Sequence, residues 1–433
     1  MKFVSTRGHA PAVGIDDALV AGLAPDGGLY VPESIPAVDL ATPRATLADT
    51  ALVTLAPWFE GSRIESQLHA LCGHAFAFDA PLRPLAGPGD YLLELFHGPT
   101  AAFKDYAARF LAGALGALRD PAAQATTILV ATSGDTGAAV AAAFHRRPGF
   151  SVVILYPDGR VSPRQAHGLE CWGDNVHAYR VDGSFDDCQR LAKQALSDPT
   201  LRARIALGTA NSISLGRLLP QAAYYAHAAA HHHTASGHAL NLIIPTGNLG
   251  NACAAYLARA MGAPVGEIRL ACNANDTLPQ FFDGVDYAAQ PTRATLANAM
   301  DVGAPSNFER LRHWHVDDAA LRAAFVARSV DDATIRATIR AAPARHDIVP
   351  CPHTATALHL LETLRTQGDG RDWAVVATAH PAKFDSIVEP LVGAGVELPS
   401  ALAACLARPA HGAHLDDSDD ALARVLLKTG ASA

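Results

Sequence analysis

From about residue 91 onward the chain alternates short apolar runs with alanine-rich helical stretches, joined by loops of Gly, Ser, Thr and Asn. No other feature constrains the fold as much. Tyr91 to Phe96, residues 127–131, Val152 to Tyr156, Leu242 to Ile244, Ile268 to Ala271 and Ala374 to Thr378 read as strands. Helical spacing is read at Ala101 to Leu118, in AAVAAAF at 138–144, at 185–198, at 212–232 with Ser212 as N-cap, and at Ala252 to Met261. Short apolar strands alternating with helices argue for an α/β class with parallel sheets. There is no internal repeat at a fixed period.

Before this alternation the chain is mixed. DGGLYVPESIP at 26–36 reads as a turn, a short strand and a proline stop. Residues 45–76 space Leu47, Leu52, Leu55 and Phe59 as a helix would, and DAPLRPLAGPGD at 79–90 reads as a connector. The tail after about 400 has helical pieces and an acidic stretch, HLDDSDD, expected to be a solvated loop.

With 433 residues, 49% of them hydrophobic and 18% charged, the chain can fill two or three cores. A net charge of −8, spread along the chain, disfavours a nucleic-acid partner. The first residues lack the apolar stretch of a secretory signal, and no apolar run reaches the roughly 20 residues of a membrane span. Seven scattered cysteines without a CxxC pair suit a cytoplasmic chain with reduced thiols and no zinc ribbon. Cys351 and His353 do not read as a nucleophile and base. His227 and His231, spaced for one helix face, are read as part of a solvated helix end rather than as metal ligands, so no metal is expected.

Four stretches carry chemistry. In ELFHGPTAAFKD at 94–105, Thr100 can cap a helix that places Lys104 near its N-terminus. The positive end of a helix disfavours a protonated amine, and a lysine of lowered pKa is what carbonyl chemistry needs. By itself the stretch also accommodates a surface lysine paired with Asp105. The loop TSGDTG at 132–137, between strand and helix, can aim N–H groups and hydroxyls at a carboxylate or phosphate, although Asp135 would repel an anion. The loop PTGNLGN at 245–251 matches neither the P-loop nor the dinucleotide fingerprint, and reads as a small-molecule phosphate site. In NSISLGR at 211–217, Ser214 and Arg217 share a helix face and can grip a second phosphate, or simply cap and solvate a helix.

Taken in order, ELFHGPTAAFKD, ILVATSGDTGAA, VVILYPDGRVSP, ANSISLGRLLPQ, PTGNLGNACAA, NDTLPQF, TLANAMDVGAPSN and TAHPAKF closely resemble the threonine synthase family, in its longer-chain bacterial and fungal branch, from residue 3 to about 400. The resemblance implies a fold-type II pyridoxal-phosphate enzyme. It would have two open parallel-sheet α/β domains with the active site in the cleft, plus an N-terminal extension. The segments would be 1–95 (N-terminal domain), 96–235 (lysine and SGDTG loop), 236–400 (cofactor-phosphate loop) and 401–433 (tail).

The resemblance also implies residue roles. Lys104 would be the Schiff-base lysine and the catalytic residue. Gly247, Asn248, Leu249, Gly250 and Asn251 would cradle the cofactor phosphate, with Asp135 and Thr378 beside the ring. Thr132, Ser133, Gly134 and Thr136 would receive substrate carboxylate, and Asn211, Ser212 and Arg217 substrate phosphate. Arg160 is a weaker candidate for that phosphate. Leu249 and Asn251 depart from the family's usual Phe and Asp, and Ser214 stands where Asn is common. The implied reaction converts O-phospho-L-homoserine and water to L-threonine and phosphate by γ-elimination and β-addition, the last step of threonine biosynthesis. A rival outcome is elimination to a 2-oxo acid. Others are a cofactor-binding protein without catalysis and a histidine-cluster metal protein.

Overall fold

A computed structural model describes residues 1–431, and in it the expected alternation closes into three sheets. Strands β1 (Phe3–Ser5) and β2 (Tyr30–Pro32) pair antiparallel at the N-terminus. β3 (Leu82–Pro84) and β4 (Asp90–Glu94) follow, also antiparallel. Then come β5 (Thr126–Ala131), β6 (Phe150–Pro157), β7 (Val176–Val181) and β8 (Ala206–Gly208). β9 (Leu240–Pro245), β10 (Val265–Cys272), β11 (Val326–Ser329), β12 (Trp373–Ala377) and β13 (Ala413–Leu415) complete the set.

One sheet has the order β11-β10-β9-β12-β4-β3, parallel except for the edge strand β3; the other, β13-β7-β6-β5-β8, is parallel throughout. Both draw on strands far apart in sequence. Central strands are buried on both faces, as β6 is along its whole length, which is why they read as continuous apolar runs. Each fully buried Val, Leu or Ile contributes about 1.5–3 kcal/mol.

The helix Lys104–Leu118 packs on the helix Asp135–Phe144 and is covered by two N-terminal helices, Leu47–Phe59 and Leu68–Ala75. Phe59 meets Phe110 edge-on, with ring centroids 5.6 Å apart. The N-terminal extension therefore holds the helix that begins at Lys104. Parallel strands put their carboxyl ends, and the loops that follow, on one side of each sheet, where α/β ligand sites form. No helix among the described residues is long and apolar enough to cross a membrane.

Two expectations are corrected. The helix expected at 212–232 is broken into Leu215–Leu218, a 3-10 turn at Leu219–Gln221 and the helix Ala222–Ser236. Pro220 lacks the N–H that would continue the ladder, and Ser214 rather than Ser212 occupies the cap position. The acidic tail is not all loop. Ala413–Leu415 forms β13 beside β7, and Leu415, Leu422 and Leu426 pack against the five-stranded sheet while Asp416, Asp417, Asp419 and Asp420 stay exposed.

Candidate active site

Lys104 is the first residue of its helix, half-buried, with Nζ 5.4 Å from the centroid of the Phe103 ring. Thr100 does not cap this helix as expected. The Asp105 carboxylate reaches back and accepts from Thr100 N–H at 2.8 Å and from its hydroxyl at 2.6 Å. Ala101, at φ +52°, makes the tight reversal, so the helix starts three residues later than expected. Phe103 N–H donates to Thr378 C=O at 2.9 Å, fixing the start of the Lys104 helix to the end of β12. Burial lowers the Lys104 pKa to about 8; Asp135 opposes the shift, and Arg217 and Lys383 add to it.

The loop after β5 places Asp135 at the head of its helix. Gly134, at φ +130°, has no room for a side chain: a Cβ would lie 2.7 Å from Gln165 Nε2. Thr132 is buried, and its hydroxyl accepts from Gly134 N–H (3.0 Å) and Gly137 N–H (2.9 Å), so that hydroxyl shapes the loop. Ser133 and Thr136 keep partial exposure. Asp135 Oδ1 lies 2.7 Å from Lys383 Nζ and accepts from Gln165 Nε2 at 3.3 Å. Burial alone would push the Asp135 carboxyl up, but Lys383, with Lys104 and His353, outweighs it and holds it well below the usual carboxylate range.

After β9, Leu249 adopts the left-handed conformation at φ +63°, turning the chain into the helix Gly250–Ala260. Its N-terminal N–H groups can hold a phosphate. Asn248 anchors the loop: Nδ2 donates to Ser212 Oγ at 2.8 Å, Oδ1 accepts from Ser306 N–H, and its carbonyl accepts from Asn307 Nδ2 at 2.8 Å. Leu249 points into the core, leaving only its backbone to the loop. The Asn251 side chain does not point into the loop alone. Its Oδ1 accepts from the hydroxyls of Tyr224 (2.9 Å) and Tyr225 (2.6 Å).

Arg217 is buried, and its Nη1 donates to Ala210 C=O at 2.6 Å. Burial lowers its pKa to about 10. Arg217 Nε, Ser214 Oγ, Asn211 Oδ1 and Asn251 Nδ2 are all buried with no partner among the described residues. Leaving such atoms unpaired costs about 1–3 kcal/mol each, and an anion would satisfy the donors among them. Thr378 is buried at the end of β12, and Arg160 is exposed.

Three participants escaped the sequence reading. Lys383 was inside a recognised motif but carried no assignment, and it donates to Thr100 C=O at 2.8 Å as well as pairing Asp135. His353 is buried near Asp135, Lys104 and Lys383, and burial, opposed by Asp135, lowers its pKa to about 4. Its Nε2 accepts from Ala299 N–H at 3.1 Å, which makes Nδ1 the protonated nitrogen. Gln165 links Asp135 to Asn298. Cys351 is a helix cap whose thiol is pushed up by burial, which does not suit a nucleophile. The helix end carrying His227 and His231 is not simply solvated. His227 Nδ1 meets Thr50 Oγ1 at 2.8 Å, His231 Nε2 meets Arg44 C=O at 2.9 Å, and His232 is buried.

The donor set is therefore an amine of reduced proton affinity together with a helix start open to phosphate. An aldehyde carrying a phosphate fits it, and the unpaired donors of Arg217 and Ser214 suit a second anion.

Residues 81–381 match the family described as "Pyridoxal-phosphate dependent enzyme", residues 2–76 "Threonine synthase N terminus" and residues 354–425 "Threonine synthase, C-terminal". Threonine synthase of Serratia marcescens is 38% identical over 414 residues, covering 93% of this chain and 94% of that protein. The Escherichia coli K12 enzyme is 37% identical over the same shares. Among solved structures, threonine synthase from Escherichia coli superposes with a TM-score of 0.89 at 35% identity, covering 99% of this chain and 100% of that one. Pyridoxal-phosphate-bound threonine synthase from Brucella melitensis also gives 0.89, at 33% identity and 99% of each chain.

Proposed function

We infer the reaction from one premise: this chain belongs to the threonine synthase family of pyridoxal-phosphate-dependent enzymes. It is a lyase that takes O-phospho-L-homoserine and water to L-threonine and phosphate, the last step of threonine biosynthesis. The observation that carries the reading is the Lys104 amine, its proton affinity lowered, at the carboxyl edge of the sheet beside two helix starts suited to anions.

In this reading Lys104 would hold the cofactor through its Nζ. The N–H groups of Gly247, Asn248, Leu249, Gly250 and Asn251 would hold its phosphate, with Asp135 and Thr378 contributing to the rest of the cofactor site. When bound, the cofactor supplies an electron sink for the charge left at a substrate carbon after proton removal. Lys104 Nζ would also be the base that removes the proton at the substrate α-carbon and moves protons at the β-carbon. Backbone N–H groups and the hydroxyls of Ser133 and Thr136 hold the substrate carboxylate. Thr132 contributes by shaping that loop around Gly134.

Arg217, with Asn211 and Ser212, binds the substrate phosphate and stabilises it as it leaves the γ-carbon. The buried walls around Asp135 and His353 keep water from the α-carbon while it carries charge. We propose that the enzyme works in the cytoplasm on a small molecule without a nucleic-acid or membrane partner; its seven free cysteines and net charge of −8 support this.

The test is purified protein incubated with O-phosphohomoserine, scoring phosphate and threonine together. Equal amounts of the two are expected. Phosphate accompanied by 2-oxobutyrate and no threonine would overturn the assignment.

A further inference from the structure

We infer that Lys383 is a positioning residue that acts through Asp135: by holding the Asp135 carboxylate, it prevents that carboxylate from locking Lys104 as an ammonium ion. The inference rests on the reading of Lys104 as the cofactor's anchor and deepens it.

The geometry is specific. Lys383 lies on the turn Pro381–Phe384 after β12, and Asp135 opens the helix after β5, so the pair joins the edges of the two large sheets. Its separation is 2.7 Å, and both side chains are 4% exposed, so solvent screens the pair weakly. The turn is held independently. Ser162 Oγ donates to Lys383 C=O at 2.8 Å, Arg164 Nη1 donates to Ala382 C=O at 2.7 Å, and Arg164 Nε meets Asp385 at 3.1 Å. Lys383 Nζ also donates to the carbonyl of Thr100, on the loop leading into Lys104.

The charges around Lys104 are few. Asp135 faces it from one sheet edge, Arg217 from the helix start after β8, and Lys383 from the turn after β12. His353, on the helix Pro352–Thr366, is near both lysines, and its burial, opposed by Asp135, keeps it neutral; its Nε2 accepts from Ala299 N–H. Asp105, on the lysine's own helix, is spent on Thr100. Asp135 is therefore the carboxylate that acts to keep Lys104 protonated, and Lys383 is the cation bonded to it. Removing Lys383 withdraws a positive charge from the neighbourhood of Lys104 and releases Asp135 toward it. Both changes favour the Lys104 ammonium, which cannot attack a carbonyl.

The experiment follows capture of pyridoxal phosphate by the full-length, cofactor-stripped protein against pH. Absorbance gives the rate, and borohydride fixation with peptide mass analysis identifies the lysine. The capture rate reports the free-amine fraction and is expected to rise through a midpoint near the Lys104 value of about 8. Lys383→Met is expected to move that midpoint up by about one pH unit, slowing capture at neutral pH about tenfold. Asp135→Asn should move it down, Lys383→Arg should restore it, and the double variant should fall between the single ones.

Midpoints unchanged in Lys383→Met and Asp135→Asn, or shifts of the opposite sign, overturn the inference. If Lys383→Met does not fold, Lys383→Gln takes its place, and the same upward shift is required of it. A label fixed on a lysine other than Lys104 in the unmodified protein overturns the anchor reading instead, so the two failures are distinguishable.

Discussion

The Asp105 carboxylate takes both the N–H and the hydroxyl of Thr100, at 2.8 and 2.6 Å, and so closes the chain on itself just before Lys104. The acidic residue of the first turn ties down the loop ahead of the helix, whose cap residue, Phe103, has no side-chain cap bond. Thr100→Val keeps the shape and removes one of these bonds to a buried carboxylate. It is expected to cost about 1.5–3 kcal/mol, as a hydrogen bond to a charged group does. Urea unfolding of the variant beside the parent protein measures it, and an unchanged midpoint would show the bond to be idle.

Gly247→Ala should loosen the cofactor. An added Cβ would lie 2.7 Å from Met300 Cα, a backbone atom that cannot rotate away. The loop must shift, and its N–H groups move with it. Dissociation of pyridoxal phosphate, followed by dialysis and absorbance, should be at least about tenfold easier, the equivalent of one lost hydrogen bond of about 1.4 kcal/mol. Retained affinity would place the phosphate elsewhere.

Arg217→Gln should separate the two anion sites. Arg217 Nε is buried without a partner among the described residues, and its guanidinium is assigned to the substrate phosphate. Its loss is expected to raise KM for O-phosphohomoserine by roughly 10–100-fold, the 1.5–3 kcal/mol of a charged hydrogen bond, and to weaken inhibition by inorganic phosphate in step. Cofactor affinity should not change. A loss of cofactor with KM intact would reverse the assignment of the two sites.

Acid should destabilise the fold through His353. Its folded pKa is lowered to about 4, first by burial, whereas an unfolded histidine titrates near 6.5. The unfolded chain therefore binds the extra proton between these values, and stability rises with pH across that window. The stabilisation is complete above about 6.5 and declines toward pH 4 by about 1.4 kcal/mol per pH unit for this group. His353→Asn should flatten that part of the unfolding-energy profile. An equally steep profile in the variant would assign the slope to other groups.

Much of this was legible in the sequence because it is local. The strands at 91–96, 127–131, 152–156 and 374–378 fall within a few residues of β4, β5, β6 and β12, and the helix at 185–198 is Phe185–Ser197. The motif order brought Lys104, the 132–137 loop and the 245–251 loop into one reading, and the parallel topology puts each of them after the carboxyl end of a strand. What escaped depends on distant partners. Lys383 became meaningful only beside Asp135, and Asn251 turned toward Tyr224 and Tyr225 because those rings lie across the helix packing. The strand Ala413–Leu415 is too short to show alternation, and Pro220 lies in a run whose composition otherwise reads as one helix.

The most direct test of the central assignment is Lys104→Ala, purified beside the parent protein and loaded with pyridoxal phosphate. The parent should show visible cofactor absorbance and convert O-phosphohomoserine to threonine. The variant should lose that absorbance, and its turnover should fall by at least the 10²–10⁴-fold typical of a lost acid–base group. A variant that kept both the absorbance and the threonine output would contradict the account.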